Sequence, residues 1–170
     1  MASDSMKQIP SISLRELKTN NRETIESLAN ACQYWGFFRL VDLDLKKGPT
    51  DQLLAAMKGF FDLPHEEKRQ LSRTEKNPWG YFDQELTKNK QDWKEIFDLS
   101  LDQADPHNQS QTPWPSSLPG FRETMLHWHH LCETISLTLL ESIMQSLRLH
   151  RSSLAQHFTN GNSSFLRLNH

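Results

Sequence analysis

The 170-residue sequence contains no run of about 18 apolar residues, so no part of it reads as a membrane-spanning helix. Its first residues, MASDSMKQIP, lack a basic start followed by an apolar core, so no export signal is indicated and the cytoplasm is the expected location. Charge of one sign is scarce too. A formal net charge of -2, with Lys and Arg scattered along the chain, gives no field for gathering nucleic acid. Cysteine is limited to Cys32 and Cys132, each on the apolar face of a predicted helix, where a thiol serves as a small buried hydrophobe. Internal repeats and low-complexity tracts are missing, and the length suits one domain over residues 1–170.

What is present is a helical pattern of unusual length. After Pro119 and Gly120, the residues Phe121, Met125, Trp128, Cys132, Ile135, Leu139, Ile143 and Leu147 recur at steps of three and four, which predicts one helix from Pro119 to His150. Leu131, Leu140 and Met144 widen its stripe, so the helix needs a large partner. Two shorter helices offer themselves. Ile25, Leu28, Ala29, Cys32 and Trp35 mark a face after a capping pair at Asn20 and Glu23, and Leu53, Leu54, Met57, Phe60 and Phe61 mark another after a break at Gly48 and Pro49. Strands are predicted at Ile9–Leu14, Phe37–Leu43, Trp93–Leu101 and Ser164–Asn169, with NPWGYF (77–82) as a turn into extended structure. HEEKRQL (65–71) reads as a helical turn, 150–158 as a short helix stopped near Gly161, and Asp102–Pro119 as a polar loop laid over a surface. The pattern is α+β with more helix than strand.

Taken together, IPSISL, CQYWGFFRLVD, FFDLPHEEK, NPWGYF, DWKEIFDLSL, WPSSLPGFRETM and FLRLNH resemble, in order, the N-terminal region of the non-haem Fe(II)/2-oxoglutarate-dependent dioxygenases, the isopenicillin N synthase-like superfamily. The resemblance covers nearly the whole chain. It implies a helix-rich N-terminal region whose long central helix and few short strands normally pack on a jelly-roll (double-stranded β-helix) barrel. That barrel supplies a His-x-Asp pair and a distant His that hold iron. The chain stops at His170, where the family continues into Tyr-Pro, so the barrel is expected to be absent from this chain. Asn169 fits the first position of an Asn-x-Tyr motif that contributes to 2-oxoglutarate contacts in parts of the family. Tyr81, Lys94 and Arg167 fall in segments resembling those that flank the mouth of the barrel, and they are the candidate substrate-pocket residues. One departure lies in the first third, where Leu40–Asp44 stands in place of an Asn-His-Gly sequence.

No metal or catalytic residue is assigned within these residues. His65-Glu66-Glu67 has the spacing of a His-x-Glu pair, but on a helix start residues i and i+2 diverge by about 200°. His127 and His130 of HWHH share a helical face at a zinc-compatible spacing without a third ligand. Their expected role is a polar face opposite Trp128. The five tryptophans, Trp35, Trp79, Trp93, Trp114 and Trp128, are expected to anchor packing. The leading expectation is therefore the N-terminal portion of an oxidoreductase acting on a small organic substrate, inactive as these 170 residues, with Fe(II) and 2-oxoglutarate implied for a complete relative. The alternative is a stand-alone binding module that docks a protein partner on the long-helix face normally covered by the barrel.

Overall fold

The computed structural model describes residues 8–43, 47–100, 111–158 and 164–170. The chain divides into two compact units, Met1–Lys46 with Cys132–Phe158, and Lys47–Leu131 with Thr159–His170. Helix and strand are mixed, as expected.

In the first unit, β1 (Ser11–Ser13) pairs in parallel with β2 (Arg39–Val41), Ser11 lying opposite Arg39. Between them run α1 (Leu14–Lys18), α2 (Arg22–Asn30) and a π turn (Ala31–Trp35). Ser13 ends β1 and caps α1, its hydroxyl accepting the Glu16 N–H at 3.3 Å. The cap of α2 is Asn21, accepting from the Thr24 N–H at 3.1 Å, one residue later than the expected pair. Asn20 instead makes the turn between the helices in the left-handed region, at φ 57°. The Thr24 hydroxyl donates to the Glu16 carboxylate at 2.5 Å, which ties the two helices together. Ile12, Leu17 and Leu28 form the core here, joined by Ile25, Phe38 and Leu40 and by Leu139 and Ile143 of the long helix. The expected packing of that helix against Ile25–Trp35 is thus found.

Cys32 departs from expectation. It is exposed, while Ala31 is buried. The cause is the π turn: the Gly36 N–H donates to the Ala31 carbonyl at 3.0 Å, a five-residue step that adds a residue to the turn and rotates Cys32 off the inner face. Gly36 then takes φ 74°, open to glycine without strain. Cys132 is half-buried, and burial pushes its thiol pKa up, as suits an inert packing residue. The predicted helix over 150–158 also fails, leaving only a 3-10 turn at Ala155–His157. Ser153 explains part of this, since its N–H and its hydroxyl both donate to the His150 carbonyl, a local bond that competes with the helical ladder. Gly161 lies outside the described residues.

In the second unit, α3 (Lys47–Phe61) starts earlier than predicted. Gly48 and Pro49 do not break the chain but sit in its first turn, where the missing proline N–H has no helical partner to lose. Then follow α4 (His65–Gln70), β3 (Gly80–Phe82), a hairpin of β4 (Leu86–Thr87) and β5 (Lys90–Gln91), β6 (Ile96–Ser100) and β7 (Phe165–Asn169). The hairpin has no counterpart in the sequence reading. An antiparallel sheet has the order β3-β6-β7, with Tyr81 opposite Phe97 and Phe97 opposite Leu168. Strand alternation sends Tyr81, Phe97, Leu99, Leu166 and Leu168 to one face. There they pack with Phe60 and Phe61 of α3 and with Phe121 and Met125. Trp114 and Trp128 join this core, but Trp93 is 98% exposed and anchors nothing. The first half of the polar loop expected at 102–119 lies outside the described residues; its second half, 111–119, leads into the long helix.

The long helix, α5, runs from Phe121 to Ser146 and contributes to both units. It opens behind Gly120, at φ 81°, and stops before Arg148, at φ 59°, so the predicted ends at Pro119 and His150 lie beyond it. Leu147, counted in the stripe, is exposed.

Candidate functional site: an ion-paired sheet face

The second face of the three-stranded sheet carries the residues opposite in phase to the core: Phe82, Ile96, Asp98, Ser100, Phe165, Arg167 and Asn169. Asp98 is 4% exposed, and a carboxylate at that depth requires partners. Arg167, directly across the ladder, supplies a two-pronged one. Its Nε donates to Asp98 Oδ1 at 2.7 Å and a terminal nitrogen donates to Oδ2 at 2.8 Å, the fork geometry in which a guanidinium matches a carboxylate. The Asp98 hydrogen bonds raise the Arg167 pKa further, with burial opposing and the charges of Asp98 and Glu85 assisting. Arg73 approaches the same carboxylate at 3.7 Å and lies 3.5 Å above the Phe82 ring. Glu85, next to the hairpin, joins Lys94 at 3.4 Å and Arg167 at 3.7 Å.

Two of the predicted pocket residues, Lys94 and Arg167, are therefore brought together through one acid, Glu85. Asn169 is exposed two residues along β7 from Arg167, on the same face. Tyr81 is not with them. It is fully buried on the core face, away from the Asp98 and Arg167 pair. Burial first, then the Glu95 and Asp83 charges, raise the phenol pKa, so it stays protonated.

The asymmetry of the Arg167 and Asp98 pair sets an expected result. Arg167→Ala strands the buried carboxylate with only the longer Arg73 contact, whereas Asp98→Ala leaves a guanidinium that is 38% exposed and can turn to water. Urea unfolding is expected to show the arginine variant losing about 2–3 kcal/mol and the aspartate variant about 1–2 kcal/mol. The reverse order would show that the arginine, not the acid, carries the desolvation cost.

The histidine patterns do not assemble a metal centre. His65 is taken up by Asp83, with Nε2 to Oδ2 at 2.7 Å, and the Glu67 carboxylate accepts the Ser117 hydroxyl. His127 and His130 are exposed, as the polar-face reading requires. His129, four residues after Met125 and on its face, is instead buried, and its Nδ1 has no hydrogen-bond partner. Among the described residues, no three His, Cys, Asp or Glu side chains are grouped to hold a metal ion. No described helix is long and apolar enough to cross a membrane.

Asp98, Glu85, Glu95 and Lys68 are not among the residues that sequence motifs single out. Asp98 had a signal, an acid inside the apolar run Ile96–Leu99, where a strand would bury it. Lys68 had none, since it sits in the polar run HEEKRQ.

The family model described as "non-haem dioxygenase in morphine synthesis N-terminal" matches residues 9–119. A proline hydroxylase of Petromyces alliaceus, buaE, is 32% identical over 167 residues, covering 92% of this chain and 52% of its own length. Jasmonate-induced oxygenase 4 of Arabidopsis thaliana is 29% identical, covering 83% of this chain and 41% of its own. Among solved structures, a 2OG-Fe(II) oxygenase family protein of Caulobacter crescentus superposes with a TM-score of 0.81 at 25% identity, over 95% of this chain and 55% of that one. The chain thus spans about half the length, or less, of the curated relatives it matches. It belongs to the non-haem dioxygenase N-terminal family, the N-terminal region of the Fe(II)/2-oxoglutarate-dependent dioxygenases.

Proposed function

We propose that residues 1–170 act as the N-terminal domain of an Fe(II)/2-oxoglutarate-dependent oxygenase whose substrate is a small organic molecule, in the cytoplasm. The observation that supports this reading is the match of one continuous segment, 9–119, to a family model for the N-terminal region of such enzymes. Relatives point the same way: the JOX2 structure, 25% identical with a TM-score of 0.77, is a complex with 2OG, Fe and JA. In this reading iron is held by a jelly-roll barrel outside these residues. Asn169 contributes to 2-oxoglutarate contacts at the end of β7. Lys94 and Arg167, spaced by Glu85, form a charged wall beside the substrate pocket, and Tyr81 supports that wall from the core side.

The purified 170-residue chain, given ferrous iron, ascorbate and 2-oxoglutarate, is expected to form no succinate above a protein-free control. Succinate that rises with protein and vanishes on chelation would place a working iron site within these residues and end this reading. A rival reading, a module docking a protein partner on the long-helix face, draws on Leu137, 37% exposed within α5, and Leu147, 61% exposed just past its end. Light scattering after gel filtration separates the two, because a folded monomer with a cooperative melt favours the module.

A further inference from the structure

Lys68 is the most deeply buried cation among the described residues, with its side chain 6% exposed on an otherwise solvated helical turn. An ammonium at that depth is costly unless its donors are met. Its Nζ donates to the Phe61 carbonyl at 2.8 Å and to Glu95 Oε2 at 2.5 Å, and it lies 5.6 Å from the centre of the Tyr81 ring. Each hydrogen-bonded partner leads to one further residue. Glu95 exchanges both backbone hydrogen bonds with His170, at 3.2 Å and 2.9 Å. Phe61 stacks its ring on the His170 imidazole, with centroids 5.2 Å apart and planes at 19°. The two arms of the ammonium thus meet on His170, one through the strand backbone and one through the helix end.

We infer that Lys68 is a positioning residue that holds the end of β7, Asn169 and His170, in place, and thereby orients the residue that receives 2-oxoglutarate. The second clause rests on the function proposed above. A methionine would fill the same volume, so volume alone does not call for a charge. The ammonium adds direction: it fixes the carboxylate of Glu95 and the carbonyl of Phe61 relative to each other, as an apolar side chain cannot.

The test is Lys68→Met in the 170-residue chain, read by NMR. Loss of the pin is expected to speed amide exchange at Glu95 about tenfold or more and to remove the ring-current shift of the His170 imidazole protons. Exchange at Phe97 and Leu168, in the middle of the ladder, should change less than about threefold. Lys68→Arg, which keeps charge and donors, should restore both signals. Uniform acceleration across the sheet, or no change at Glu95 and His170, overturns the inference and leaves Lys68 as an ordinary stabilising pair. Should Lys68→Met not fold, Glu95→Gln, which keeps the shape and loses the charge, is read against the same two outcomes. In the complete oxygenase the Met variant should raise KM for 2-oxoglutarate about tenfold at unchanged kcat. Selective loosening without that rise would leave the pin standing and remove Asn169 from cosubstrate binding.

Discussion

Gly80→Ala is expected to destabilise the second unit by about 3–5 kcal/mol, enough to unfold a domain of ordinary stability near physiological temperature. Gly80 opens β3 at φ 119°, a conformation that L side chains rarely adopt. Space forbids the substitution as well. A methyl group there would stand 2.2 Å from the Leu71 carbonyl oxygen, 3.0 Å from Pro113 Cγ and 3.2 Å from the Arg73 nitrogen. Leu71 cannot yield, because its carbonyl accepts the Tyr81 N–H at 2.8 Å while the Arg73 N–H donates to the Tyr81 carbonyl at 3.1 Å. These two bonds lace the segment after α4 to the outer side of β3, and the absence of a side chain at Gly80 lets the two backbones approach. Thermal melts and urea titrations of the variant read the effect directly. A loss under about 1 kcal/mol would mean that the segment after α4 is free to shift.

Phe60→Ala should cost a similar amount, about 3–5 kcal/mol, by a different mechanism. Phe60 is fully buried, and its ring lies 4.6 Å from that of Phe97, 5.3 Å from Phe121, 5.2 Å from Phe61 and 6.4 Å from Tyr81, centroid to centroid. It touches α3's own neighbour, two strands and the long helix, so truncation opens a cavity bordered by four other rings, none of which can fill it without leaving its own contacts. Phe60→Leu, which keeps most of the volume, is expected to lose about 1–1.5 kcal/mol. Tyr34→Ala, at a site 73% exposed, should remain within about 0.5 kcal/mol of the parent. Equal losses for the alanine and leucine variants would show that ring contacts, and not cavity volume, dominate this core.

Which features could be read in advance follows from how local their causes are. The long helix was legible because its period of 3.6 residues persists through several turns, and β6 and β7 were legible from short apolar runs with turn signals around them. Local chemistry also placed α4, whose acids fall in the first turn and whose bases fall in the last. The β4 and β5 hairpin was invisible for a comparable reason: its strands are two residues long, and its turn puts Lys88 and Asn89 at φ 52° and 60° without the glycine that usually announces such a turn. The exposure of Cys32 is not legible, because a five-residue hydrogen bond leaves no trace in an apolar pattern. The site divides in the same way. Family motifs drew attention to Arg167 and Asn169, while the partners that define their surroundings are remote in sequence. Asp98 lies 69 residues from Arg167, and Glu95 lies 27 from Lys68. A lysine among glutamates and arginines looks solvated until the strand that covers it is known.

Among the described residues β7 is the last strand of its sheet, with one side of its backbone unpaired. Such a margin is a template on which another extended chain can grow, and proteins commonly guard it with a cation in mid-strand. FLRLN has that cation, but Arg167 is already neutralised by Asp98, and Phe165, 53% exposed, adds an adhesive contact beside it. An extended segment laid along that margin would meet unpaired main-chain donors and acceptors with an apolar ring beside them, quite apart from the stability of either core.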